Sequence, residues 1–454
     1  MDRRLIILSI ITALAMIILV FPDGVTALLL VILLSGAVIF LFRRFTEEKD
    51  LLTNIFLLAL VTRLAFGIFV EIFNLREFFA GDANTFDNHG YMILQYWLGN
   101  LSGDDIWLKR AMSTSMPGWG INYTVATLYL IFGRNIFLAQ SFCAVFGAAT
   151  APMVYFCAKK VFHNNNVAKL AAFAVAIFPA FIIWSGQLLK DGLIVFLLVL
   201  AMTMVLQLQQ KLSYPAVLIL ILSMFGIMSL RFYIFYMVAL AVVGSFIVGT
   251  SNSPQAIMRR TAVLVIIGVG LTYFGVLRSA STDFAKYGSL ERIQISRSDL
   301  AKSASSGYGE DIDVSTSEGA LSAIPIGFTY LMLAPFPWET TSLRQLITLP
   351  EVLLWWATIP LMFFGIWYTI KHKLRNAFPI MLFSLMLTLA YSIFLGNVGT
   401  AYRQRTQIQV FLFMFTAVGV TLFKERRENK KIIVNRNRRR LEQALQAQMR
   451  QSQN

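Results

Sequence analysis

The chain has 454 residues, 57% of them hydrophobic and only 14% charged, whereas a soluble globular domain carries about 25% charged residues. Its apolar residues fall in blocks of roughly 17–22 separated by short polar stretches, the length signal of transmembrane helices; a β-barrel would instead alternate over about ten residues. The net charge of +15 does not point to nucleic acid, because much of it lies in the tail 424–454 (KERRENKK…NRNRRR), and basic ends beside membrane helices mark the cytoplasmic side and anionic lipid.

The chain opens with MDRR and apolar segments at 4–21 and 25–42, without a small-residue cleavage site. This reads as a first anchor hairpin rather than a cleaved signal. A third segment, 51–73, runs into FFAGDANTFDNHGY, which carries Asp82, Asp87 and His89. Acids in a loop usually serve solvation. Acids where a membrane helix surfaces also suit a general base, which must lie within hydrogen-bond reach of a hydroxyl while water is limited. Asp104-Asp105, further along the loop, fit a helix cap. The segment 120–133 is short and follows Pro117-Gly118-Trp119-Gly120.

Segments 137–158 and 167–185 follow; the first contains both cysteines, Cys143 and Cys157, which gives neither a disulfide framework nor a metal spacing. WSGQLLKDGLIVF then places Lys190 and Asp191 at the mouth of segment 189–207. Ionisable residues at membrane depth are costly and mark functional positions. Lys190 suits an anionic headgroup; Asp191 suits an N-cap or an internal ion pair. Arg231 stands alone between 213–230 and 231–249. After 261–278 comes a Ser- and Gly-rich stretch, 279–320, that reads as a mobile loop or lid. Segment 322–337 is interrupted by Pro325 and Gly327 and precedes Arg344 in APFPWETTSLRQL. The last segments are 351–370, 376–395 and 406–423, and GNVGTAYRQR before the final one carries Arg403 and Arg405. Guanidinium groups there snorkel to lipid phosphates or clamp one phosphate by bidentate hydrogen bonds.

Cationic loops set the topology. With MDRR inside, Lys159-Lys160, Arg259-Arg260, KHKLR and the basic tail also fall inside if 120–133 and 322–337 do not cross. The expected fold is therefore an all-α polytopic membrane protein with about 12 crossings, two short interfacial or re-entrant segments, and both termini cytoplasmic. It divides into an N-terminal hairpin (1–43), a membrane catalytic domain (44–423) with outer loops 74–135 and 279–350, and the basic tail (424–454). Asp82, Asp87, His89, Lys190, Arg231, Arg344, Arg403 and Arg405 then share the outer face. There is no glycine-rich phosphate loop, no His or Cys cluster and no inverted repeat of broken helices. No cofactor is required, and although a carboxylate pair is compatible with a divalent metal, no ligand spacing indicates one.

The acid-bearing loop, followed by FGRNIFLAQSFCAVFGAATAPMVYFCAKKVFHNNNVAKLAAFAVAIFPAFIIWSGQLLKDGLIVFLLVLAM (132–202), resembles the GT-C membrane glycosyltransferases. The likeness is to bacterial relatives of the dolichyl-phosphate-mannose protein mannosyltransferases and of the lipid A aminoarabinose transferase. It covers roughly residues 51–210, and LAPFPWETTSLRQLITLPEVLLWW and NVGTAYRQR resemble outer-loop and last-helix segments of such transferases. The resemblance implies a polyprenyl-phosphate sugar donor, a glycan, lipid or protein acceptor at the outer face of the bacterial inner membrane, and inverting displacement at the anomeric carbon. It also implies an acid of the first outer loop as base. Asp82 matches that position best and Asp87 second. The extra hairpin 4–42 and the lack of a strict adjacent acid pair depart from the family pattern. A polysaccharide or O-antigen polymerase is the alternative, and a lipid-linked glycan flippase a third, with Arg63 the main mid-helix charge in its favour.

Overall fold

A computed structural model describes residues 2–114, 118–248, 253–302, 306–340 and 342–451, with side chains to Arg436 except that of Val434. Pro117, in the run before segment 120–133, and residues 303–305 of the expected lid lie outside this set. The first part of the chain forms α1 (Arg3–Leu19), α2 (Asp23–Arg44), α3 (Lys49–Ile72), α4 (Arg76–Ala80), α5 (Asp82–Trp97), α6 (Ile106–Met112) and α7 (Trp119–Phe132). The middle forms α8 (Ile136–Phe162), α9 (Asn165–Ile177), α10 (Pro179–Ser185), α11 (Lys190–Gln210), α12 (Tyr214–Leu230), α13 (Phe232–Val248) and α14 (Pro254–Tyr273). The last part forms α15 (Val276–Tyr287), α16 (Leu290–Lys302), α17 (Ser317–Leu333), α18 (Leu343–His372), α19 (Leu374–Phe394) and α20 (Val398–Gln451).

Helix suits these sequences because it satisfies every backbone group within the segment, which an apolar surrounding demands. Among the described residues, eight helices are long and apolar enough to cross a bilayer: α2, α3, α8, α11, α14, α18, α19 and the Val398–Ile433 part of α20. The pair α9–α10, bent by 55°, makes a ninth. Each of the fourteen apolar segments contains a helix, but length and composition give eight or nine spans against the expected twelve. α7 has 14 residues, about 21 Å at 1.5 Å per residue, and falls short of the hydrocarbon core.

The core forms around α8, which is buried along most of its length and packs on α2, α3, α9 and α11. Small residues permit these approaches: a Cβ on Gly147 or Gly192 would collide with Ser185, and a Cβ on Gly365 or Gly419 would collide with the facing backbone of α20 or α18. The bend between α9 and α10 falls at Phe178-Pro179, and Arg63 of α3 answers it. Its guanidinium donates to the Ala176 carbonyl at 3.1 Å, the Val175 carbonyl at 3.3 Å and Ser185 Oγ at 2.8 Å. The one mid-helix cation that favoured a transport path is thus a cap on broken helix ends.

The stretch 279–320 departs from expectation. Much of it is the helical pair α15–α16, and Arg297 pins it to the bundle by donating to the carbonyls of Leu395 at 2.7 Å and Ile393 at 3.1 Å. A free loop of that length has no such anchor. The antiparallel bridge between Gly307 and Asn397 ties the following turn to the start of α20.

Candidate active site

The chain leaves α3, turns through α4 and enters α5, whose first residue is Asp82. Arg403 sits early in α20 and reaches it: Arg403 Nη1 donates to Asp82 Oδ2 at 2.7 Å. The rest of the guanidinium turns inward to Asp191 of α11. Nε donates to Asp191 Oδ2 at 2.6 Å, and Nη2 lies 2.5 Å from the same oxygen. Arg231, at the end of α12, donates from Nη2 to Asp191 Oδ1 at 2.9 Å. Four charges from four elements therefore alternate in sign: Asp82, Arg403, Asp191, Arg231. Asp191 is fully buried, a position a carboxylate holds only when paired and hydrogen-bonded. The Asp82 side chain is 54% exposed and that of Arg403 15%, so the chain of charges runs from the protein interior to an open surface.

That surface is a cavity of about 280 Å³. Asp82, Arg344 and Arg403 supply its charges, and Phe78, Trp184 and Tyr402 supply rings. The Arg403 guanidinium lies 5.5 Å from the Trp184 ring centre, within cation–π range. Arg344 donates to the Glu77 carbonyl at 2.8 Å and lies over Phe78, which ties the start of α18 to α4. A mixed apolar and cationic hollow with one carboxylate on its wall is suited to an amphiphilic anion beside a proton acceptor.

The other expected site residues lie elsewhere, and helix geometry gives the reason. At about 100° per residue, Asp87 is rotated about 140° from Asp82 on α5. It points into the protein, where it accepts from Tyr129 Oη at 2.6 Å and pairs with Arg134 at 2.5 Å. Burial and this acid together push the Tyr129 hydroxyl well above its ordinary value. The two aspartates do not form a catalytic pair. Arg405 is about 200° from Arg403 on α20, so the two arginines cannot clamp one ligand. It is fully buried and donates to the carbonyls of Ala334 and Met332 at 2.9 and 3.2 Å. Lys190 does not line the cavity; its Nζ lies 5.9 Å from the Phe86 ring centre, against Gly118. His89 also lies off the cavity, and burial, with Arg110 nearby, holds its imidazole below the ordinary value. Asp105 caps α6 through the Leu108 amide at 2.9 Å, as expected.

Sequence reading passed over Trp184 and Tyr402, which present no charge. It also passed over Glu351, a buried acid in α18 that accepts a hydrogen bond from the Tyr402 hydroxyl. The signal existed, since an acid inside an apolar segment is a functional candidate. Among the described residues, no three His, Cys, Asp or Glu side chains come together as a metal site.

Residues 59–249 match the family model for dolichyl-phosphate-mannose-protein mannosyltransferase. Over that stretch the chain is similar to GT-C-type glycosyltransferases. The match includes Asp82, Asp191 and Arg231 but not Arg344 or Arg403, which reach the same site from the last third of the chain. The apo crystal structure of the oligosaccharyltransferase from Archaeoglobus fulgidus is similar at 13% identity and a TM-score of 0.40, over 70% of this chain and 44% of that one. The chain thus spans less than half the length of that protein. No curated protein matches it.

Proposed function

We propose that this protein is a GT-C-type glycosyltransferase that moves a sugar from a polyprenyl-phosphate donor to an acceptor hydroxyl at the outer face of the bacterial cytoplasmic membrane, with inversion. The observation that carries the reading is the meeting of Asp82 and Arg403 on one cavity wall at 2.7 Å. An inverting displacement has the acceptor and the leaving phosphate on opposite faces of one carbon, so its base and its phosphate ligand both have to line the cavity that holds that carbon. The acceptor oxygen attacks the anomeric carbon and its proton passes to Asp82. The carbon–oxygen bond to phosphate breaks, and the electron pair leaves on the phosphate. Arg403, with Arg344 on the same wall, stabilises the charge that grows there, an electrostatic contribution that is often the largest in such reactions. Arg231 and Lys190 add positive potential from behind. Asp87, His89 and Arg405 are assigned to the scaffold.

The accompanying topology takes α1, α12 and α13 as crossings beside the eight long helices and the bent pair, which gives twelve with both termini inside. The rings of Phe78, Trp184 and Tyr402 favour a prenyl chain at the cavity. Donor turnover by Asp82→Asn tests the assignment. The variant is expected to insert normally and to lose roughly 10²–10⁴ in rate, the usual worth of a general base, whereas Asp87→Asn should chiefly lose stability. Full turnover by Asp82→Asn would sink the assignment.

A further inference from the structure

We infer that the donor phosphate and Asp82 compete for the same edge of Arg403, so that donor binding releases the base into the cavity. The inference rests on the transfer reading above and adds an order of events to it. Arg403 has three nitrogens. Nε donates to Asp191 Oδ2, and Nη2, buried and without a hydrogen bond, forms an ion pair with the same oxygen. Nη1 remains, and it is bonded to Asp82 on a wall that both residues line. An anion entering the cavity therefore meets Arg403 through the nitrogen that Asp82 already holds.

The two carboxylates differ in how firmly they are held. Asp191 is enclosed between two guanidinium groups, and its departure would leave the buried Arg231 without a counter-charge. Asp82 is half exposed and bonded through a single nitrogen, and exposed ion pairs of this kind contribute little. A phosphate oxygen makes a charge-assisted bond to guanidinium at least as well as a carboxylate does. The exchange thus occurs on the Asp82 side, while Asp191 keeps Arg403 in place. Before donor binds, Asp82 is engaged with Arg403. Afterwards its carboxylate is free, beside the phosphate-bound sugar, to take the acceptor proton. Binding is ordered, donor first.

The test is binding of farnesyl phosphate to the detergent-solubilised full chain by calorimetry. Asp82→Asn removes the competitor and is expected to bind at least about tenfold more tightly than wild type, as couplings between close charges allow. Arg403→Gln should bind more weakly, and Asp82→Asn/Arg403→Gln should show none of the gain. Unchanged or weaker binding by Asp82→Asn overturns the inference. So does a gain that persists in the double variant, which would reflect the general field of one lost acid. Asp82→Glu gives a reading independent of any folding defect in the Arg403 variants. It keeps a competing carboxylate and should bind near the wild-type level; affinity equal to that of Asp82→Asn would overturn the exchange. Turnover separates the two proposals: full activity in Asp82→Asn removes the base assignment and leaves the affinity result to decide the competition.

Discussion

Asp191 is the residue that most firmly orders the site, although it does not line the cavity with Asp82. Its two oxygens hold Arg403 and Arg231 from opposite sides. Replacing it by Asn removes the charge that balances two buried guanidinium groups, and breaking a buried pair in this way costs about 3–5 kcal/mol. Asp191→Asn is therefore expected to lower the thermal unfolding midpoint in detergent well below that of Asp82→Asn; equal midpoints would mean that Asp191 is not the anchor. The sequence made Asp82 and Arg403 legible because charges at the ends of apolar blocks stand out. It could not separate Asp82 from Asp87, which look alike until Tyr129 and Arg134, 42 and 47 residues further on, fold against one of them. Arg403 and Arg405 posed the same problem, and only the phase of the α20 helix divides them.

Among the elements, the apolar helices were readable because one composition both suits lipid and closes its own hydrogen bonds. The pair α15–α16 was not. Its Ser-rich sequence carries little helix signal, and its placement depends on Arg297 reaching carbonyls up to 98 residues away. The same dependence predicts its response to mutation. Arg297→Gln shortens the reach and removes the charge, and hydrogen bonds to charged groups contribute roughly 1.5–3 kcal/mol each. The variant should open locally around 276–302 and be cleaved there by trypsin several-fold faster than wild type, with cleavage of the C-terminal tail unchanged. Cleavage of 276–302 at the wild-type rate would mean that α15–α16 are held by their apolar contacts alone.

For the whole molecule, turns far apart in the chain come together. The loop after α3, the mouth of α11, the end of α12 and the start of α20 meet in one chain of ion pairs. Cysteine labelling measures the proposed orientation, and the chain offers a clean background because both cysteines are buried. Ser102→Cys should react with an impermeant maleimide added outside intact cells, and Asn429→Cys only after permeabilisation. The reverse pattern would invert the topology and place the cavity inside.

The alternating charges have one more consequence. Asp82, Arg403, Asp191 and Arg231 sum to zero before any ligand arrives. A donor phosphodiester brings one negative charge. Transfer turns it into a phosphate monoester with two, but the proton from the acceptor neutralises Asp82 in the same event. The total over wall and ligand is the same before and after, so sugar transfer moves charge across a few ångströms without creating any at a boundary where water is scarce.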